Sequence, residues 1–448
     1  MNKIKLFFSI VSIFIFLGTN LHANEEINAL KEEIKNIQND YETRIKDLEN
    51  KLSDLQKDGV LKAKAESVVK TRKIYGNEFN PSIGIVLNGK YNNFSMKSAE
   101  PAVKGFAIGH EGERGREGLQ LGESELNFSS PIDDKFYGSM TYAIVQESDT
   151  ADAKVELEEA YIMTTPDFNL PDGMSLKAGR AFWTLGYMNE HHAHADDFAN
   201  RPLPYRVYLN KAWNDTGAEI SYILPTDYYA EVGAGLFRGN DFPIKGPDGE
   251  SPGAMSAYAR IGGDIDQNQN WRLGVYYVDG DSPSGRKGNE DEIVFTGDTT
   301  LYVTDFRYSL APTGNVREQE LTLQAELFAR NEDGTYNIDS GGENQFNGTS
   351  YGWYVQSVYK FNPQWRGGIR YSQMETPGVP TALIGTDLDG QGFDPTSVAV
   401  MADWTNSEFS RIRWQFNQDK LASGSGSVDN QFTIQYLMSI GAHGAHKY

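Results

Sequence analysis

Apolar and polar residues alternate along the chain from residue 81 onward, with the period of two that is typical of half-buried β-strands. Glycine, proline, asparagine and aspartate separate the alternating stretches, as turn and loop residues do. The alternation predicts an all-β barrel of about sixteen antiparallel strands, with eighteen as the alternative count. The predicted strands lie near residues 81–96, 117–129, 135–147, 153–165, 174–184, 214–224, 228–238, 255–264, 270–279, 300–310, 318–330, 350–361, 364–374, 396–405, 407–417 and 430–448.

The two faces of these strands differ in chemistry. In residues 270–279, Trp271, Leu273 and Val275 share one face, whereas Arg272 lies on the other. An arginine facing lipid at mid-bilayer would cost about 2–4 kcal/mol, so we expect the apolar faces to contact lipid and the arginines to face a polar lumen. A secreted all-β protein is the alternative, but a soluble barrel of this size would need an apolar interior, which the alternation does not offer. The arginines expected along the pore are Arg180, Arg201, Arg206, Arg260, Arg272, Arg366, Arg370, Arg411 and Arg413.

The predicted connections alternate between short turns and long polar loops. Short turns on one side of a barrel and long loops on the other are typical of bacterial outer-membrane barrels, in which both chain ends face the periplasm. The sequence therefore predicts a transmembrane barrel in the Gram-negative outer membrane. The long loops are expected at residues 97–116, 185–213, 239–254, 280–299, 331–349 and 375–395.

The chain before residue 81 has a different character. A basic start, an apolar run from Leu6 to Leu17 and a small residue at Ala23 predict a secretory signal peptide. Isoleucine and leucine then recur mostly at alternating steps of three and four, which predicts a periplasmic coiled coil that suits a trimer at least as well as a dimer. A lone amphipathic helix lying on another surface is the alternative. The predicted segments are a signal peptide at residues 1–23, a coiled coil at 24–58, a linker at 59–80 and the barrel at 81–448.

The strongest concentration of reactive side chains lies in Thr184–Tyr208, which the strand count makes part of the third external loop. The chain has no cysteine, and imidazole and carboxylate are the ligands that zinc prefers when thiolate is missing. We expect transient binding, because a transport site must release its ion. The alternative is that the histidines only shape an inward loop or make it sensitive to pH. The candidate ligands are Glu190, His191, His192, His194, Asp196 and Asp197.

Short matches relate the chain to known proteins. It resembles the Gram-negative porin superfamily, particularly the phosphate-selective porins, in Phe79–Pro81 before the first strand and in the predicted strand at Leu176–Arg180. The loop His191–Asp197, the Arg201–Leu203 stretch after it and the tail Gly441–His446 resemble proteobacterial outer-membrane proteins described as zinc-regulated. The porin resemblance implies that the third loop folds inward and narrows the pore. The lysine-rich inner ladder of the phosphate-selective group is not visible.

These observations predict a porin for passive uptake of small solutes, with an inward loop that binds a divalent metal such as zinc. A metal-binding receptor with a gated or closed channel and a barrel that tethers the outer membrane to the cell wall are the alternatives. No Ser-His-Asp spacing is compatible with the strand map, so we expect no enzymatic activity. We expect no required cofactor and no nucleic-acid partner. The expected partners are outer-membrane lipid, lipopolysaccharide, further copies in a homotrimer, and the cell wall through the coiled coil.

Overall fold

A computed structural model describes residues 81–97, 102–146, 153–246, 252–289, 292–338, 342–423 and 427–441, together with Lys46. The predicted signal peptide, coiled coil and linker lie outside the described residues, Lys46 apart, and so does the tail from residue 442 onward. Among the described residues, no helix is long and apolar enough to cross a membrane.

The described part of the chain is almost entirely β-structure. Its single α-helix, α1, covers Leu203–Leu209. Short 3-10 turns occupy His110–Gly112, Pro166–Phe168, Met188–Glu190, Ala193–Ala195 and Thr381–Leu383. The strands are β1 (Ser82–Phe94), β2 (Gly118–Leu121), β3 (Ser124–Pro131), β4 (Phe136–Gln146), β5 (Ala153–Thr164), β6 (Met174–Phe182), β7 (Asn214–Ile223), β8 (Tyr229–Phe237), β9 (Ala254–Asp266), β10 (Gln269–Asp281), β11 (Arg286–Gly288), β12 (Ile293–Leu310), β13 (Glu320–Ile338), β14 (Gly342–Lys360), β15 (Trp365–Glu375), β16 (Thr396–Ser407), β17 (Ser410–Lys420) and β18 (Val428–Gly441).

The strands form one closed antiparallel barrel, because each pairs with its neighbour in sequence and β18 pairs with β1. β2 and β3 both pair with β1 and are two pieces of a single barrel strand, interrupted at Gly122 and Glu123. The short β11 adds only to the end of β12. The described residues therefore build sixteen barrel strands, and the predicted number is confirmed.

The faces of the strands follow the predicted alternation. In β1, Ile83, Leu87 and Tyr91 are exposed on the outer surface, whereas Asn88 and Asn92 are buried inside the barrel. An apolar outer surface around a polar interior is the arrangement of a barrel that spans a membrane. The fold class predicted from the sequence is confirmed for the barrel.

The lumen is not polar along its whole length, in contrast to the prediction. The long connection from residue 183 to residue 213, called here the inward loop, folds into the barrel and brings large apolar side chains with it. Trp183, Tyr205 and Trp213 have no exposed surface, and Tyr205 packs edge-on against Phe328 of β13 at 5.2 Å between ring centroids. The expectation of a polar lumen throughout is wrong here, because the loop supplies half of an apolar core and the strands supply the other half.

Two predicted loops are largely strand. Residues 293–299 belong to β12, and residues 331–338 and 342–349 continue β13 and β14. Their polar residues indicated loops, but Phe295, Tyr336 and Phe346 pack together with loop residues Leu383 and Leu388 into a buried apolar cluster. This packing extends the hairpin beyond the rest of the barrel wall.

Candidate metal site at the inward loop

The inward loop is closed at its base by one amide side chain. Asn189 Nδ2 donates to the carbonyl oxygens of Trp183 and Trp213 at 2.8 and 3.0 Å, and Asn189 Oδ1 accepts from Trp213 N at 2.7 Å. These three hydrogen bonds join the two ends of the loop, so that the segment between them can enter the lumen as a folded unit. Asn189 has no exposed surface, which makes the bonds costly to replace by water.

A buried carboxylate holds the loop against the strands across the lumen. Glu326 of β13 accepts hydrogen bonds from Met188 N at 3.1 Å, from the Tyr205 hydroxyl at 2.8 Å and from the Tyr354 hydroxyl at 2.7 Å. Two of these donors belong to the loop and one belongs to β14. Glu326 is therefore a positioning residue, since it accepts hydrogen bonds from the loop and from the wall at once.

Four cationic side chains from the wall donate to carbonyl oxygens along the loop. We call Lys90, Arg370, Arg411 and Arg413 the cationic clamp. The bonds run from Arg411 to His194 O at 2.9 Å, from Arg413 to Asp196 O at 2.8 Å, from Lys90 to Ala199 O at 3.0 Å and from Arg370 to Asn200 O at 2.7 Å. The clamp fixes the backbone of residues 194–200 with bonds that are stronger than neutral ones.

On the opposite side, the loop presents two histidines to glutamates of the wall. We call Glu125 of β3, Glu158 and Glu159 of β5, and His192 and His194 the histidine–glutamate cluster. The contacts are His194 Nδ1 to Glu125 Oε1 at 2.7 Å, His192 Nδ1 to Glu125 Oε2 at 3.1 Å and to Glu158 Oε2 at 3.3 Å, and His192 Nε2 to Glu159 Oε2 at 3.0 Å.

Three atoms of this cluster converge without forming hydrogen bonds. Glu125 Oε2, Glu158 Oε2 and His192 Nδ1 are buried, and the short distances between them lack hydrogen-bond geometry. His192 Nε2 faces Glu159, so an imidazole with its proton on Nε2 would direct the Nδ1 lone pair toward the two carboxylates. Such convergence of lone pairs suits a cation, and one ligand atom each from Glu125, His192 and His194 lies within 4.8 Å of the others.

The charge of the cluster also favours a cation. Burial by itself would lower the pKa of His192, but the neighbouring carboxylates of Glu125, Glu158 and Glu159 raise it well above its usual value. The cluster places three carboxyl groups against two imidazoles. Buried carboxylates are stable only when they are paired or bound to a cation.

A β-bulge brings the two glutamates of β5 to the same side. Thr141 of β4 pairs with Glu159 and Tyr142 pairs with Leu157, so Glu158 is an extra residue without a partner in the ladder. Both consecutive glutamates can then reach His192, which a regular strand would not allow. The break in alternation at Glu158 and Glu159 is the sequence signal that could have indicated this pair of glutamates.

A further acid adjoins the cluster from the interruption between β2 and β3. Glu123 forms an ion pair with Lys211 of the inward loop. Its carboxylate also lies within 4.8 Å of those of Glu125 and Glu158. The Glu-Ser-Glu sequence at residues 123–125, placed where a strand is broken, was the signal for this part of the wall.

The structure brings together two of the six ligands predicted from the sequence, His192 and His194. The other four lie elsewhere on the loop and have their own partners. Burial lowers the pKa of His191, whose ring stacks on Tyr187 at 4.8 Å between centroids. Asp196 pairs with Arg201 at 2.9 Å, Asp197 with Arg366 at 2.7 Å and Glu190 with Arg260 at 2.5 Å.

The predicted pore arginines divide into several groups. Arg370, Arg411 and Arg413 belong to the cationic clamp, and Arg201 and Arg206 are buried within the inward loop itself. Arg260, Arg272 and Arg366 face the lumen and pair with Glu231 at 2.8 Å, Asp305 at 3.0 Å and Asp403 at 2.6 Å. Arg180 is in register with Ala160 and Thr216 on the outward face, and its Nε donates to Leu157 O at 3.1 Å.

A closed barrel with an apolar outer face and a charged lumen has the architecture of a transmembrane β-barrel. No protein-family model matches the chain. An uncharacterized protein of Aquifex aeolicus is 27% identical over 396 residues, which covers 83% of this chain and 80% of that protein.

Several solved structures of outer-membrane proteins are similar to this one. OmpT of Vibrio cholerae is 12% identical, with 80% of this chain and 97% of that chain covered and a TM-score of 0.49. The outer membrane channel DcaP of Acinetobacter baumannii is 12% identical, with coverages of 81% and 97% and a TM-score of 0.48. An anion-selective porin from Comamonas acidovorans is 8% identical, with coverages of 81% and 99% and a TM-score of 0.47.

Proposed function

We propose that this chain is an outer-membrane channel for passive passage of small solutes, with an inward loop that binds a divalent ion such as zinc. The observation that carries the metal part is the convergence of Glu125, His192 and His194 at the boundary between loop and wall. The channel part rests on the closed barrel with its lipid-facing exterior and charged lumen. Membership of the phosphate-selective or zinc-regulated groups, a homotrimeric assembly and contact with lipopolysaccharide belong to the same proposal.

The donor set decides which ions fit. Two imidazoles with carboxylates suit zinc and neighbouring transition metals, whereas calcium and magnesium prefer sites made of oxygen alone. The ligands come from the loop on one side and from β3 and β5 on the other. A bound ion would therefore link the loop to the wall, and His192, held by Glu159, would present its Nδ1 to that ion.

A channel gated at the loop is a second candidate, and one observation favours it. The inward loop fills the lumen with Trp183, Tyr205, Tyr208 and Trp213, which are all fully buried. Solute passage past this level needs either a narrow path beside the loop or a displacement of the loop. A metal that links the loop to the wall would then favour the position shown here.

The test is single-channel conductance of the purified protein in a planar bilayer, with and without Zn²⁺, beside calorimetric Zn²⁺ binding. We expect steady steps that zinc modulates, and loss of both modulation and binding in a His192→Ala/His194→Ala variant. His110→Ala is the matched control, because His110 is an exposed histidine of another loop. Absence of conductance steps would refute the channel, and zinc effects that persist in the double variant would refute the site.

A further inference from the structure

A cavity of about 140 Å³ lies between the inward loop and the wall formed by β12, β13 and β14. These strands lie across the barrel from β3 and β5, so the cavity is separate from the histidine–glutamate cluster. Its lining includes Tyr187 and Asp197 of the loop and Arg307, Gln324 and Gln356 of the wall.

Arg307 supplies a positive charge to this cavity. Its Nη1 donates to Gln324 Oε1 at 3.1 Å, and its guanidinium lies 4.4 Å from the centroid of the Tyr187 ring. Among the described residues, no carboxylate forms an ion pair with Arg307, in contrast to Arg260, Arg272 and Arg366. The neutral partners hold the guanidinium in place but leave its charge available for an anion.

Gln356 supplies an unsatisfied acceptor beside this charge. It is 2% exposed, its Nε2 donates to Asp197 Oδ2 at 3.2 Å, and its Oε1 is buried without a hydrogen-bond partner. Asp197 is already neutralised by Arg366 at 2.7 Å. The cavity therefore places a guanidinium without a carboxylate ion pair beside a buried amide oxygen that can accept a hydrogen bond.

We propose that this cavity binds a small carboxylate that carries a hydroxyl or ammonium group on the neighbouring carbon. The carboxylate would take two hydrogen bonds from the Arg307 guanidinium, and the hydroxyl or ammonium group would donate to Gln356 Oε1. Molecules of about six non-hydrogen atoms fit the volume. The inference deepens the proposed function by naming a solute class, and it rests on that function for the idea that solutes pass this point.

The test compares three small molecules of similar size as blockers of potassium chloride current through single channels. Lactate has both groups, propionate lacks the hydroxyl and lactamide lacks the charge. We expect lactate to reduce the current with a half-effect at a millimolar order of concentration, since a permeating solute must bind weakly. Propionate and lactamide should need at least about tenfold more, because each leaves one polar group of the cavity unpaired.

Two variants assign the effect to the cavity. Arg307→Gln should raise the half-blocking concentration of lactate by at least about tenfold. Gln356→Met, which keeps the side-chain length, should weaken the block by lactate without changing the block by propionate. Arg180→Gln is the matched control, because Arg180 lies on the outward face of the barrel. Arg307→Lys keeps the charge but loses the paired donors. Its half-blocking concentration of lactate should therefore lie between those of the unmodified protein and Arg307→Gln.

The outcomes separate this inference from the proposed function. Equal block by all three molecules, or a lactate effect unchanged in both Arg307→Gln and Gln356→Met, would overturn the carboxylate site while leaving the channel intact. If no conductance steps appear, the channel proposal fails. Calorimetric titration of lactate into the detergent-solubilised protein then decides the site by itself, with the Gln356→Met variant as the reference.

Discussion

The inward loop meets the barrel wall in two opposite ways. On the β15–β17 side, the clamp residues Arg370, Arg411 and Arg413 donate to loop carbonyl oxygens. On the β3–β5 side, the histidines of the loop face more carboxylates than they can neutralise, and three buried atoms have no hydrogen bond. On the first side, protein atoms alone supply all the hydrogen-bond partners. On the second side, a bound cation would neutralise the excess carboxylates. The loop is thus fixed permanently along one side and conditionally along the other.

The largest expected effect comes from disrupting the histidine–glutamate cluster on the conditional side. His192→Ala/His194→Ala removes both nitrogen ligands and should lower the affinity for Zn²⁺ by at least about a thousandfold, because the remaining carboxylates prefer harder ions. Calorimetry on the solubilised protein measures this, with His110→Ala as the control. Without zinc, the variant should also lose stability, because the buried carboxylates of Glu125, Glu158 and Glu159 lose their imidazole partners. The clamp and Glu326 should still hold the loop, and rapid amide exchange throughout residues 194–200 would show that the two sides are not independent.

The next largest effect is expected from disrupting the cationic clamp on the permanent side. Arg413 has no exposed surface, donates to Asp196 O at 2.8 Å and pairs with Asp403 at 2.8 Å. Arg413→Met should lower the free energy of unfolding by about 3 kcal/mol, because it leaves a buried carboxylate with one partner fewer. Urea unfolding in lipid vesicles measures this, with the exposed Arg317→Met as the control. Equal stability in the two variants would mean that the clamp is dispensable.

A smaller effect is expected at Glu326, which holds the loop between these two sides. Glu326→Gln replaces an acceptor of three donors by an amide whose NH₂ group faces a hydroxyl donor. The loss should be about 1–3 kcal/mol of loop stability, seen as faster amide hydrogen exchange in residues 188–205. Glu318→Gln, in an exposed turn, is the control. Unchanged exchange in the loop would show that packing of Tyr205, and not the carboxylate, positions it.

The sequence predicted the permanent parts better than the conditional site. Period-two alternation located all sixteen barrel strands, because lipid and lumen impose opposite polarity on successive residues. It missed the extension of β13 and β14 through residues 331–338 and 342–349, where tertiary packing of Tyr336 and Phe346 overrides polar composition. At the site, the clustering of histidines indicated His192 and His194. Glu125 lies 67 residues before His192 in the chain, and only the pairing of β3 through β6 together with the inward fold of the loop places it there.

The smallest expected effect tests the geometry of the conditional side without removing a ligand. Glu159 Oε2 lies 3.0 Å from His192 Nε2, and this contact keeps the lone pair of Nδ1 toward Glu125 and Glu158. Glu159→Gln should lower Zn²⁺ affinity by about tenfold, as loss of a partner behind a metal-bound imidazole commonly does. Glu156→Gln, on the same strand and paired with Lys154, is the control. Calorimetry measures this: if Glu159→Gln abolishes binding, Glu159 is itself a ligand, and if it changes nothing, Glu159 does not orient the His192 imidazole for the ion.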